Sequence, residues 1–134
     1  MPIINQKTST GAFVQALIES EPAGTKLLAY DTDSYLPMSE IAKLWSKASG
    51  KEAPLVTVSA EIIHQRFKIP MDILVGPELI NDFGYMGNTE GWIEPGDLKE
   101  KVVTKSFETW LGEQDWEKLL AEAEKETKSV AGGK

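Results

Sequence analysis

Three side chains of this sequence have the chemistry of acid–base catalysis. His64 is the only histidine, and an imidazole is the side chain that exchanges protons most readily near neutral pH. Asp82 and Tyr85 lie three residues apart near the end of a predicted helix, where a carboxylate and a phenol can share one face. We take these three as candidate catalytic residues. The structural alternatives are a partly exposed helix histidine and a polar pair at a helix end.

Four further side chains are candidates for binding a substrate. Trp92 ends a glycine-rich stretch, residues 87–92, and an aromatic side chain with flexible flanks can form the wall or lid of a pocket. Phe83 and Met86 would add apolar lining nearby. Asp31 directly follows a short apolar run and is either a turn residue or a carboxylate that holds a ligand.

Composition argues against several other classes of site and partner. The chain has no cysteine and one histidine, so we expect no metal site. Its net charge of -7 makes nucleic acid a poor partner, because affinity there depends on neutralising phosphates. The apolar runs are too short to span a membrane, and residues 1–5 lack the features of a signal peptide. These observations predict a cytoplasmic protein.

Glycines, prolines and caps divide the chain into short elements. Helices are predicted over 10–20, over 39–49 before Gly50, over 60–68 after the cap Ser59, from Pro77 to Gly84 or Gly87, over 107–111, and from 113 or 115 onward. Strands are predicted over 26–30 and 55–58, with a loop or short strand over 90–95. The expected fold class is α+β, a small helix-rich domain with two or three short strands. It would occupy residues 1–128, followed by a flexible tail over 129–134.

Several segments carry a family resemblance through their order and spacing. They are Thr10–Val14, Lys26–Tyr30, Ser39–Trp45 with Ser49–Lys51, Val58–Ser59, Glu78–Tyr85, Pro95–Leu98, Ser106–Trp110 and Asp115–Trp116. Together they resemble the C-terminal part of NmrA-like proteins, atypical short-chain dehydrogenase relatives common in fungi. The resemblance extends from about residue 3 to residue 120. It implies a small lobe that closes over a substrate cleft, bordered by the stretch that contains Asp82 and Tyr85.

One departure from that family concerns the cofactor. The family's Rossmann half binds NAD or NADP through a glycine-rich loop, and no such loop occurs here. We therefore expect no cofactor and no hydride transfer by this chain alone. The chain would be a repurposed truncated relative or a fragment of a longer product. A fragment would expose the apolar surface that faces the Rossmann half in the family, which predicts a homodimer if the chain is stable alone.

Two functions from different classes follow, together with a structural alternative. The first is a cofactor-independent isomerase, cyclase or dehydratase that acts on a small apolar, secondary-metabolite-like molecule. The second is a non-catalytic ligand-binding or regulatory protein-interaction module, and the third is a structural fragment completed by another chain. The enzyme hypothesis requires that His64, or Asp82 with Tyr85, points into a closed pocket.

Overall fold

Helices connected by short loops make up most of the computed structural model, which describes residues 1–87 and 89–132, the last seven of these as backbone alone. In chain order the elements are α1 (Thr10–Ser20), β1 (Lys26–Leu27), α2 (Met38–Ser49), α3 (Ala60–Phe67), α4 (Met71–Leu74), α5 (Gly76–Phe83), β2 (Trp92–Ile93), a 3-10 turn (Pro95–Asp97), α6 (Phe107–Gly112) and α7 (Trp116–Gly132). This is the expected small, helix-rich α+β architecture. Of the predicted tail, residues 133–134 lie outside the described residues. None of the described helices has the length and apolar character needed to cross a bilayer.

Local sequence signals account for several helix boundaries. Helix α2 ends at Gly50, whose φ of 67° is left-handed and whose N–H donates to the Ser46 carbonyl, a conformation that glycine adopts without a steric penalty. Ser59 begins α3 by accepting a hydrogen bond from the Ile62 N–H, and Ser106 does the same for Thr109 at α6. These caps satisfy backbone donors that a helix start otherwise leaves unpaired.

A two-stranded parallel sheet connects distant parts of the chain. Lys26 pairs with Trp92 and Leu27 with Ile93, and the Leu28 N–H extends the ladder by donating to the Ile93 carbonyl at 3.0 Å. The first strand is therefore shorter than the predicted 26–30. Of the two alternatives for 90–95, a loop or a short strand, the structure has a short strand at Trp92–Ile93.

The hydrophobic core lies between this sheet and α1. Phe13 and Ala16 of α1 are buried against Leu98. Partly buried apolar side chains surround them, namely Ile4, Leu17, Leu27, Ala29, Ile93 and Val102. The core therefore joins the N-terminal segment, the sheet and the chain that follows β2.

A second packed region forms where α2 meets α6 and α7. Trp45 of α2 and Trp116 of α7 make an edge-to-face contact with ring centroids 5.6 Å apart, an arrangement favoured by the quadrupoles of the two rings. Leu111 of α6 is 1% exposed. Trp110, which its helical spacing would bury, is instead 37% exposed.

The segment from 55 to 87, hereafter the arm, departs most from expectation. The predicted strand 55–58 is wrong, because Leu55, Val56 and Val58 are exposed and residues 51–59 form no element. Apolar side chains recur at helical spacing on α3 and α5, yet Ile62 and Phe67 of α3 are more than half exposed. Helices α3, α4 and α5 pack in sequence on one another, so the periodic faces have no core beneath them.

Candidate functional site

His64 lies on α3 and faces solvent. Its Nδ1 is 2.7 Å from the Ile69 carbonyl oxygen, and its own carbonyl accepts from the Lys68 N–H at 2.8 Å. The imidazole therefore stabilises the turn that ends α3. This contact fits the alternative of an exposed helix histidine.

Asp82 and Tyr85 lie close in sequence but do not form an enclosed pair. Asp82 is exposed in the last turn of α5, where its Oδ1 accepts from the Asn81 side-chain amide at 3.3 Å. Tyr85 follows Gly84 and is 46% exposed. Neither they nor His64 line the cleft at Asp31 or either of two further clefts of the described structure.

The apolar candidates for substrate binding are divided between the arm and the sheet. Phe83 is about half exposed at the end of α5, and Met86 is partly buried. Trp92 is partly buried in β2, and its indole Nε1 donates to the Thr89 carbonyl at 2.6 Å. Asn88, within the predicted glycine-rich loop, lies outside the described residues. None of the three lines the cleft described next.

Asp31 is the candidate that the structure places at a cleft. This cleft has a volume of about 540 Å³ and is lined by Ile3, Ile4, Asn5, Gln6, Lys7, Asp31, Phe107 and Trp110. Asp31 itself is only 3% exposed. Its Oδ2 accepts from the Asn5 N–H at 2.7 Å, whereas its buried Oδ1 has no hydrogen-bond partner among the described residues. The site therefore contains a buried acceptor with unused bonding capacity.

A buried serine holds the segments around Asp31 together. Ser34 is 0% exposed, and its Oγ accepts from the Phe107 N–H at 2.8 Å while donating to the Thr32 carbonyl at 2.9 Å. Its backbone carbonyl accepts from the Ile3 N–H at 3.0 Å. The turn at 31–34 therefore fixes both the N-terminal segment and the start of α6, which form the walls of the cleft.

Sequence reasoning missed a second polar cluster on the neighbouring side. Tyr30 donates to Glu94 Oε2 at 2.6 Å, and burial, followed by this hydrogen bond and the Glu94 charge, raises the pKa of Tyr30 to about 12. Tyr30 and Asp31 also line a second cleft of about 330 Å³. The topology could have indicated this cluster. Tyr30 follows β1 and Glu94 follows β2, and the carboxyl ends of parallel strands lie at the same edge of a sheet, so the two side chains lie close together.

Within the described residues, no group of three or more histidine or acidic side chains is placed to hold a metal ion. The chemistry that the described site offers is thus a buried carboxylate beside aromatic side chains, together with a phenol–carboxylate pair. Comparison of the chain with protein-family models, with curated proteins and with solved structures finds no match.

Proposed function

We propose that this chain is a protein-interaction module that associates with a second copy of itself through the arm. The observation that carries the proposal is the accessible surface of 10078 Å². A compact monomer of this length would expose about 7,000 Å². The chain therefore exposes about 3,000 Å² more surface than a compact monomer would. Many large apolar side chains lie on the exposed surface, and contiguous exposed apolar surface marks an interface.

Among the described residues, more than half of the exposed large apolar side chains lie in the arm. The arm exposes the large apolar side chains of Leu55, Val56, Val58, Ile62, Phe67, Ile73, Val75, Leu79, Ile80, Phe83 and Tyr85. Residues at i, i+3 and i+4 form one face of a helix, so Leu79, Ile80 and Phe83 lie together on α5. Such a face is stable only against another apolar surface.

Area and charge favour a second copy as the occupant. Homodimer interfaces of the obligate kind bury about 1,000–2,500 Å² per partner, which the excess surface can supply. Arg66 and Lys68 end α3, whereas Glu78 and Asp82 lie on α5, and none of the described ion pairs uses them. In a two-fold dimer the basic end of one arm can meet the acidic helix of the other.

The geometry favours this function over cofactor-independent catalysis. The enzyme hypothesis needs His64, or Asp82 with Tyr85, inside a pocket, and all three face solvent on the arm. The resemblance to the C-terminal lobe of NmrA-like proteins agrees with the proposal, since in that family the C-terminal lobe packs against the Rossmann half. Both the resemblance and the homodimer are proposals.

Sedimentation velocity of the full chain over a wide range of protein concentration tests the association. We expect a dimer that dissociates on dilution. Phe67→Lys or Ile73→Lys, each at an arm residue more than 60% exposed, should weaken association by about tenfold or more, because a contact must then desolvate a charge.

Ile18→Lys is the matched control, since Ile18 is 77% exposed but lies on α1, outside the arm. It should leave the dimer intact. A monodisperse monomer at every concentration would overturn the proposal, as would an Ile18 variant that dissociates as readily as the arm variants. Circular dichroism of each variant separates loss of association from loss of folding.

A further inference from the structure

The cleft at Asp31 has the walls of a small-molecule site. Phe107 and Trp110 stack with ring centroids 6.0 Å apart and planes inclined by 17°, and Ile3 and Ile4 add aliphatic surface. A volume of about 540 Å³ is within the range of ordinary ligand pockets. These walls suit an apolar or aromatic body.

The buried carboxylate gives the cleft a polar anchor. A buried acceptor without a partner is unfavourable, and a ligand or a water molecule that donates to it relieves that cost. Asp31 is held in place by its N–H, which donates to the Ile3 carbonyl, and by its carbonyl, which accepts from the Ser34 N–H. These bonds fix the backbone of the turn, and the Asn5 N–H holds the carboxylate through Oδ2 at 2.7 Å, which leaves Oδ1 as the oxygen without a partner among the described residues.

The charge of the anchor defines the kind of donor that fits it. An ionised carboxylate accepts most strongly from a cation, and a cation at this depth would also lie near the face of an aromatic wall. Lys7, the cation among the lining residues, is exposed and forms no ion pair with Asp31. Among the described residues, Oδ1 of Asp31 therefore has no cationic partner.

We propose that this cleft binds a small molecule with an aromatic or apolar body and one protonated amine, the ammonium donating to Asp31 and the body lying against Phe107 and Trp110. This site is separate from the arm, and it is independent of the proposed association. Ligand affinity tests the binding site, and molecular mass in solution tests the association.

The test uses three probes of one shape, namely benzylammonium, benzyl alcohol and benzoate, titrated into the full chain by heteronuclear NMR. We expect benzylammonium to bind best and benzoate not to bind. The shifts should appear at the Asn5 amide, the Phe107 amide and the Trp110 indole. Asp31→Asn should weaken benzylammonium binding by about tenfold or more, since hydrogen bonds to charged groups contribute about 1.5–3 kcal/mol.

Asp33→Asn is the matched control. It removes the same charge from an exposed position two residues away, where φ is 52° and asparagine is tolerated. It should leave the affinity unchanged. If Asp31→Asn does not fold, Trp110→Leu and the shift map of the wild-type chain decide instead. Equal binding of benzoate, no binding of any probe, or shifts at Gly96 and Lys101 of the second cleft would overturn the proposal.

Discussion

Tyr30 and Glu94 form their hydrogen bond across 64 residues of sequence, and Asp31 follows Tyr30 directly into the cleft. The distinctive chemistry of the molecule therefore lies where the chain leaves β1 and β2, and not at the exposed groups of the arm. Within this region each polar group has a specific local cause. Glu94 accepts from Tyr30, and its backbone N–H donates to Asp97 Oδ2 at 3.0 Å as the 3-10 turn begins.

The raised pKa of Tyr30 has a measurable consequence at alkaline pH. Its value in the folded chain is about 12, against an unperturbed value of 10.0. A raised folded pKa contributes stability below the unfolded value that is lost as pH rises from 10 toward 12. In a Tyr35→Phe, Tyr85→Phe background, phenolate absorbance should show one residue titrating near 12.

Glu94→Gln is the diagnostic variant for that titration. Removal of the carboxylate charge should lower the pKa of Tyr30, while burial keeps it above 10. Ordinary titration of Tyr30 near 10 in the parent background would show that the hydrogen bond does not form in solution. Stability measured by urea unfolding should fall over the same pH window in the parent, whereas in the variant the window should be narrower and the loss of stability smaller.

Helix caps show how the elements differ in their contribution to stability. Ser106 caps α6, which packs on α2, and Ser59 caps α3 in the arm. Ser106→Ala should lower the free energy of unfolding by about 1 kcal/mol. Ser59→Ala removes the same kind of hydrogen bond but should cost less in global unfolding of the monomer, because the arm is free to open locally. Urea titrations followed by tryptophan fluorescence compare the two variants. Equal losses of unfolding free energy would contradict the view that the arm contributes less to global stability than α6.

Sequence predicted the elements whose signals are local. The start and end of α1 and the left-handed cap at Gly50 depend on neighbouring residues alone, and the structure confirms both. The strand predicted over Leu55–Val58 is wrong, because an alternating pattern shows only that a strand there would be half buried. Whether a partner strand exists is a property of the whole fold.

The candidate site was predictable only in part for the same reason. Asp31 was recognisable as a carboxylate after a buried run, and it lines the cleft. The aromatic walls at Phe107 and Trp110 are brought to it by Ser34, over a separation of 73 residues in the Phe107 hydrogen bond. No local pattern contains that information. Helical spacing likewise identified the apolar faces of the arm but could not show that they are uncovered.

At the scale of the whole molecule, surface area governs the response to denaturant. The slope of unfolding free energy against urea concentration follows the surface newly exposed on unfolding. A monomer that already exposes about 3,000 Å² more than a compact chain has less to expose. We expect monomeric Phe67→Lys to show a smaller slope than compact monomers of equal length. A slope matching theirs would mean that the arm folds back onto the core in solution.

The parallel pairing of β1 with β2 also has an entropic consequence. Helices α2 to α5, with the whole arm, lie inside the loop that this pairing closes. The entropy of closing a loop rises only with the logarithm of its length, so doubling the loop costs about 0.6 kcal/mol. Insertions or deletions in the arm therefore alter the strand pairing very little. The topology lets the arm diverge in length and composition while the turn at 31–34 keeps its geometry.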